Sequence, residues 1–397
     1  MKTVVVGVTG GIAAFKSAQL VSDLVKAGYD VQVLMTEHAK EFISPLTFET
    51  LTKHNVMDTF DRNFVYDVKH ISIAQKADVF LIAPATANVI AKVANGIADD
   101  MLTTTFLAAK CKKLIAPAMN TAMYENPVTQ ENLEKCRRFG MEIIEPESGR
   151  LACGDTGKGK LASVEDLFDA VERACFTDDC LKGYHVLVTA GPTIEAMDPV
   201  RFLSNHSSGK MGFAIAKMAQ RCGADVTLVA GPNHLKVPYG VTYVPVTSAR
   251  SMMAAICAVS ETQDIIIKAA AVADYRPKTV AKEKMKKGDG ELVLELERNP
   301  DILAHLGAHK PAKQVLCGFA METENVLFNA RKKLNKKNLD MIVVNDLREE
   351  GAGFAVDSNR VTIIEQDKET ALPLMSKEDV AYELCKIVAE KRKEKDA

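Results

Sequence analysis

No stretch of this sequence approaches the length needed to cross a membrane. The opening apolar run, Val4–Val8, is far too short for a secretory leader and gives way at once to glycines. No CxxC pair occurs, and the nine cysteines, an odd number, are scattered through 397 residues. That pattern argues against a disulfide framework or a zinc site and fits reduced thiols in a cytoplasmic protein. A large charge imbalance is missing too: the formal net charge is −2, with 26% charged and 47% hydrophobic residues. These values argue against a disordered chain and against a protein that binds nucleic acid over its whole surface. Length is what the sequence does have. A chain of 397 residues exceeds one typical core, so two domains are expected.

The first half alternates β-branched runs with helical periodicity. Strands are expected at Thr3–Val8, Asp30–Met35, Asp78–Ala83, Lys113–Ala118 and Met141–Glu145, with helices at Ile12–Ala27, Thr86–Ala109, Thr129–Phe139 and Val164–Phe176. Strands separated by helices imply a parallel, doubly wound sheet. Pro146–Lys160 breaks the pattern and reads as a loop inside the domain, carrying Ala152-Cys153-Gly154. Long internal loops of this kind are usually functional. The second half restarts the theme with strands at Tyr184–Thr189, Asp225–Ala230, Asp264–Ala271, Val315–Ala320 and Met341–Val344, a helix at Gly209–Cys222, and a Ser-capped terminal helix at Ser376–Lys391. The boundary is expected near Thr177–Gly183, giving domains 1–180 and 181–397.

Gly7-Val8-Thr9-Gly10-Gly11-Ile12 follows a strand and precedes a helix, where glycines and free N–H groups suit an anion. It is neither a dinucleotide GxGxxG nor a Walker A sequence, and alone it can be mere tight packing. Ala83-Pro84-Ala85-Thr86-Ala87-Asn88 and Ala116-Pro117-Ala118-Met119-Asn120 end successive strands, the edge at which open α/β sheets bind ligands. His70 sits just before a helix. A lone histidine is more often structural than catalytic, and a carboxamide at a strand end is often only a turn former.

Taken in order, Gly10-Gly11-Ile12-Ala13-Ala14-Phe15-Lys16, the His70 segment, Pro84–Asn88, Pro117–Asn120 and the Cys153 loop resemble the flavin-dependent cysteine decarboxylases, and phosphopantothenoylcysteine decarboxylase in particular, over residues 1–176. The chemistry agrees with the resemblance. A carboxylate beside an unactivated carbon needs an electron sink, and oxidation of the neighbouring thiol by FMN would create one on sulfur. The resemblance implies Gly10, Gly11, Thr36 and the Pro84, Ala85, Thr86 and Asn88 loop near the FMN phosphate. It implies His70 beside the reacting thiol, Asn120 on the substrate carboxylate and Cys153 returning a proton from a lid. Gly11 stands where some relatives carry Ser, which leaves the contact there to the backbone.

In the second half, Asn205-His206-Ser207-Ser208-Gly209-Lys210-Met211-Gly212 precedes a helix and forms a natural anion pocket. Ala269–Ala271 end a strand with small residues that permit close ligand approach, and Asp274 follows. Lys284-Met285-Lys286-Lys287 is a basic run on a loop, and such runs are usually only solvated. Lys332, Lys333, Lys336 and Lys337 lie on an expected helix, where Lys333 shares a face with Lys336 and Lys337. Like charges this close would be eased by a polyanion, either a triphosphate or a nucleic-acid backbone.

Asp198-Pro199-Val200-Arg201, Asn205–Gly212, Ala270–Tyr275, the Lys284 run, Asn299–Ile302 and Gly318-Phe319-Ala320 together resemble phosphopantothenate–cysteine ligase over roughly 184–397. The order decarboxylase then ligase is similar to that of the bifunctional coenzyme A biosynthesis proteins. The resemblance implies an α/β fold in two domains, an N-terminal flavodoxin-like parallel sheet and a C-terminal Rossmann-like doubly wound sheet. It implies activation of the 4'-phosphopantothenate carboxylate by CTP with Mg2+, attack by cysteine, then FMN-dependent decarboxylation to 4'-phosphopantetheine. Asn205 would steady the acyl-cytidylate and Lys284 would assist the cysteine. Asp274, Pro300, Asp301, Ile302, Leu303, Phe319, Lys333 and Lys337 would contact CTP. No direct metal ligand is assigned. The partners implied are small molecules, not nucleic acid or membrane, and a homo-oligomer built from decarboxylase trimers and ligase dimers, a dodecamer. Two other classes stay open: a flavin reductase or regulatory flavoprotein without ligase activity, and a nucleic-acid-associated protein using the lysine runs.

Overall fold

From Val4 onward the Thr3–Val8 run is buried on both faces, as a parallel strand covered by helices must be. In the computed structural model, which describes residues 1–59, 69–150, 154, 156–286, 292–322, 326–346 and 356–396, this run is β1. The chain divides into two compact units, Met1–Thr177 and Asp178–Ala397.

In the first unit β1 is joined by β2 (Asp30–Met35), β3 (Val79–Ala85), β4 (Lys112–Pro117) and β5 (Glu142–Ile143) in the order β2-β1-β3-β4-β5. Every pairing is parallel, which is the flavodoxin-like order. The helices are α1 (Ala14–Lys26), α2 (Pro45–Thr52), α3 (Lys69–Lys76), α4 (Ala87–Asn95), α5 (Met101–Ala108), α6 (Thr121–Glu125), α7 (Pro127–Arg138) and α8 (Val164–Cys175). Amphipathic spacing drives their docking: α1 buries Ala14, Ser17, Leu20, Val21 and Leu24 on one stripe.

The expected helix 86–109 is two helices. Gly96 ends α4 in the left-handed conformation at φ +71°, and Asp100 opens α5 with a capping box to Thr103. The expected loop 146–160 is largely a hairpin, β6 (Glu147–Arg150) paired antiparallel with β7 (Thr156–Lys160). Its glycine-rich strands carry no apolar alternation, so periodicity could not reveal them. Cys153, with residues 151, 152 and 155, lies outside the described residues.

The second unit holds β8 (His185–Ala190), the hairpin β9 (Ile194–Ala196) and β10 (Phe202–Ser204), then β11 (Asp225–Ala230), β12 (Thr242–Pro245), β13 (Ile265–Lys268), β14 (Tyr275–Pro277), β15 (Leu296–Arg298), β16 (Val315–Glu322), β17 (Met341–Asp346), β18 (Ser358–Asn359), β19 (Val361–Glu365), β20 (Glu369–Ala371) and β21 (Met375–Ser376). Its main sheet runs β12-β11-β8-β13-β16-β17-β19-β20. The strands from β12 to β17 are parallel, and β19 and β20 add antiparallel at the edge. Numbered within the unit, the parallel strands lie 3-2-1-4-5-6, the Rossmann order, with the reversal between β8 and β13. The helices are α9 (Lys210–Arg221), α10 (Ala249–Cys257), α11 (Ile302–His309), α12 (Val326–Lys336) and α13 (Lys377–Glu394). The edge strand β12 is mostly exposed and was not expected from the sequence: the β-branched and aromatic run Val241–Val246 that carries it is interrupted by Pro245. Among the described residues no helix is long and apolar enough to cross a membrane.

Candidate active sites

In the first unit the ends of β1 and β3 are stitched together by a buried threonine. Thr9 Oγ1 donates to the Pro84 carbonyl at 2.7 Å and accepts from the Thr86 amide at 3.1 Å. Ser17 of α1 donates to the Ala83 carbonyl at 2.7 Å. The Gly10 and Gly11 turn therefore sits against the Pro84–Thr86 turn, three residues ahead of α1 rather than at its first residue. A Cβ on Gly10 would lie 2.6 Å from His38 Cβ, whereas one on Gly11 would meet nothing within 4 Å. β7 packs on the end of β4: the Met119 amide donates to the Gly159 carbonyl at 3.0 Å, and a Cβ on Gly159 would lie 2.4 Å from the Met119 carbonyl oxygen. Asn120 caps α6, accepting from the Ala122 amide at 2.8 Å.

These turns enclose a cavity of about 490 Å³ lined by Gly10, Gly11, Pro84, Thr86 and Asn120, with Ile12, Phe15, Met119 and Met123 as apolar wall and Lys16, Arg150 and Lys160 as cations. Burial and then Lys160 lower the pKa of Lys16, whose ammonium donates to the Leu161 carbonyl at 3.2 Å. An apolar wall for a planar ring, an open glycine and rim cations fit a flavin phosphate. Other sequence-expected residues are not in the lining. Thr36 is buried directly after the end of β2, Ala85 is fully buried, Asn88 is exposed on α4, and His70 lies on the first turn of α3. Lys160 and Arg150 carry no signal in the sequence, because the hairpin that delivers them was invisible there.

In the second unit two further buried threonines shape the edge of the sheet. Thr189 Oγ1 accepts from the Ala270 amide at 3.1 Å and Thr193 Oγ1 from the Ala273 amide at 3.0 Å. They draw Ala269–Ala273 off the end of β13, so the strand stops at Lys268 instead of running to Ala271. The Asn205 amide donates to the Ala271 carbonyl at 3.0 Å. Ala271 lines a cleft of about 160 Å³ together with Ser207–Gly212, Phe319, Asn345 and Lys377. Gly212 makes this approach possible, since a Cβ there would lie 2.5 Å from Ala190 Cβ.

On the other side of Phe319 a cavity of about 380 Å³ gathers Asp274, Pro300, Asp301, Ile302, Leu303, Phe319, Lys333 and Lys337, together with Lys268, Tyr275, Arg298 and Asn299. Asp301 caps α11 at the Ala304 amide, 3.0 Å, and pairs with Lys337 at 2.9 Å. Burial pushes the Asp301 carboxyl up, but that amide and Lys337 outweigh it and hold it below the usual range. Asn299 fixes the facing loop by donating to the Ala273 carbonyl at 2.8 Å.

Lys284 is exposed and lines neither space. Its segment is nonetheless held by the Asp198–Arg201 motif. The Asp198 carboxylate, fully buried as a side chain, accepts from the amides of Val200 at 2.8 Å, Arg201 at 2.7 Å and Met285 at 3.1 Å, and Arg201 donates to the Met285 carbonyl. Burial raises the Asp198 carboxyl, yet those amides and Arg201 prevail and lower it. Among the described residues no group of His, Cys, Asp and Glu side chains could hold a metal ion by itself.

Residues 1–175 match the family described as flavoprotein, and residues 181–391 match the DNA/pantothenate metabolism flavoprotein C-terminal domain. The coenzyme A biosynthesis bifunctional protein CoaBC of Bacillus subtilis is 50% identical over 393 residues, covering 98% of this chain and 97% of its own. That of Vibrio cholerae is 45% identical over 392 residues, covering 98% of both chains. The crystal structure of the C-terminal domain of a CoaBC protein is similar at 46% identity, with a TM-score of 0.48, over 54% of this chain and 99% of that one.

Proposed function

The chain belongs to the family of coenzyme A biosynthesis bifunctional proteins, and from that membership we infer that it makes 4'-phosphopantetheine from 4'-phosphopantothenate and cysteine in two steps. The second unit is the phosphopantothenate–cysteine ligase and the first the phosphopantothenoylcysteine decarboxylase. The product of the one is the substrate of the other, which gives the fusion its reason.

In the ligase step, a carboxylate oxygen of phosphopantothenate attacks the α-phosphorus of CTP and pyrophosphate leaves. The cysteine amine then attacks the acyl carbonyl, loses a proton, and CMP leaves. Mg2+ would enter with the nucleotide and offset the charge of its phosphates; no residue of the chain is assigned to it. The observation that carries the assignment of CTP is the convergence of Asp274, Pro300–Leu303, Phe319, Lys333 and Lys337 on one cavity. Asn205, bonded to the edge of the neighbouring cleft, steadies the acyl-cytidylate. Lys284, on the segment tied to Asp198, assists the amine.

In the decarboxylase step, FMN when bound supplies the oxidation of the substrate thiol that lets the adjacent carboxylate leave as CO2. Gly10, Gly11, Pro84 and Thr86 hold it, supported by their place in the lining of the apolar cavity with its rim cations. Asn120, in the same lining, would hold the substrate carboxylate, and Cys153 would protonate the ene-thiol left after CO2 loss while the two electrons return to it from the flavin, so that the step is redox-neutral. His70, on the first turn of α3 and outside that lining, acts beside the reacting thiol as base or positioning group, and trimers of the first unit joined through dimers of the second make a dodecamer. The enzyme acts in the cytoplasm, where its substrates are.

The test supplies the purified protein with phosphopantothenate, cysteine, CTP and Mg2+. Pyrophosphate, CO2 and released FMN rather than FAD are expected, with CTP used in preference to ATP and a sedimenting species of dodecamer mass. Absence of pyrophosphate would remove the ligase, and a colourless protein that refuses FMN would remove the decarboxylase.

A further inference from the structure

Lys268 ends β13 after Ile265, Ile266 and Ile267, all fully buried, and is followed by Ala269–Ala271. Nothing in that apolar setting calls for a long cationic side chain. β13 pairs with β8 through Lys268 and Thr189 and with β16 through Lys268 and Gly318, so Lys268 stands at the reversal of strand order, where open α/β sheets bind ligands. Alternation along the strand gives it the face of Ile266, the face packed with Ile302, Leu303 and Leu306 of α11. Its side chain lines the cavity of about 380 Å³.

The charged lining around it comes from every neighbouring element: Asp274 from the loop after β13, Arg298 from β15, Asp301 from the start of α11, Lys333 from α12 and Lys337 just beyond that helix. Cations outnumber carboxylates in that set, and Asp301 is engaged by Lys337 at 2.9 Å. Among the described residues no ion pair or hydrogen bond joins the Lys268 ammonium to a carboxylate; Asp301 and Asp274 act on it through space. Burial, with Lys337 beside it, pushes Lys268 down to about 8. A half-buried ammonium in an excess of like charge is unfavourable in the empty cavity and is relieved when an anion enters.

We propose that the Lys268 ammonium is the innermost contact for a phosphate oxygen of the nucleotide and thus a further binding residue of the ligase site. This rests on the assignment of the cavity to CTP. The test is isothermal calorimetry on the full-length, FMN-loaded protein, titrated separately with CTP–Mg2+ and with cytidine, after circular dichroism has shown parental unfolding midpoints for Lys268→Met and Lys268→Arg. A charge-assisted hydrogen bond of this kind corresponds to about ten- to hundredfold in affinity. Lys268→Met is expected to bind CTP weaker by that factor while holding cytidine within about twofold, and Lys268→Arg to recover most of the loss.

A second readout follows protons. Pairing with phosphate raises the lowered pKa of Lys268, so at alkaline pH the parental protein takes up more protons on binding CTP than Lys268→Met does. Titration in buffers of different ionisation enthalpy measures this. Lys268→Met with parental CTP affinity, or with cytidine and CTP weakened alike, overturns the proposal. A parental protein that binds cytidine derivatives nowhere in this unit overturns the cavity assignment instead, because the variants are then irrelevant.

Discussion

Gly307 lies inside α11, and a Cβ there would sit 1.8 Å from the Lys337 carbonyl oxygen and 3.5 Å from Asn338 Cβ. Asn338 Nδ2 also donates to the Gly307 carbonyl at 2.8 Å. The helix and the chain leaving α12 thus touch backbone to backbone, which keeps Lys337 on Asp301 at the first turn of the same helix. Gly307→Ala sets two effects against each other. Helix propensity favours alanine by about 1 kcal/mol. Against it, carbon and oxygen settle at about 3.3 Å or more, so the two segments must part by roughly 1.5 Å. Forcing a methyl into such a contact costs about 1–3 kcal/mol, and loss of the Asn338 bond about 1 kcal/mol more. The clash wins by roughly 1–3 kcal/mol, which in a unit of this size lowers the unfolding midpoint by roughly 3–10 °C. The same displacement draws Lys337 from Asp301, so CTP affinity falls with stability. Thermal unfolding followed by circular dichroism, with and without CTP, measures both. A midpoint equal to or above the parental one, the result propensity alone demands, refutes the reasoning.

Gly10→Ala should destabilise the first unit by about 1–3 kcal/mol, because its methyl meets His38 Cβ at 2.6 Å. Gly11→Ala should leave the flavin-free protein as stable as the parent and keep FMN binding, since its methyl meets nothing within 4 Å. Melting of the flavin-free variants and fluorescence titration with FMN separate the two, and identical melting would contradict the packing described. Asn205→Asp or Lys284→Gln should abolish ligation yet leave decarboxylation of supplied phosphopantothenoylcysteine near normal, whereas Cys153→Ser should release CO2 but accumulate a product two hydrogens lighter than phosphopantetheine by mass spectrometry. Parental ligation in the first pair, or parental phosphopantetheine output in the last, would remove those roles.

The alternation of strands and helices was legible because it is local. β-branched runs such as Val4–Val8 and Ile265–Ile267 are buried on both faces and say so in composition, and the 3.6-residue stripe of α1 is carried by its own residues. The motifs on the strand ends were legible too, because each is a short contiguous segment whose order along the chain resembles one family. Tertiary structure decided the rest. The β6–β7 hairpin is built from glycine and charge and leaves no periodic signal, and in β12 Pro245 breaks a β-branched run so that only pairing with β11 shows it to be a strand. The strand order that puts the reversal between β8 and β13 depends on pairings among residues far apart in sequence. So does the cavity around Asp301 and Lys337, which is assembled from segments between Lys268 and Ile342. Lys268 fell inside the expected strand Asp264–Ala271 and drew no notice there; folding ends the strand at Lys268 and brings burial and Lys337 to bear on its charge. A cation's neighbours along the chain are written in the sequence, but its electrostatic neighbours exist only after folding.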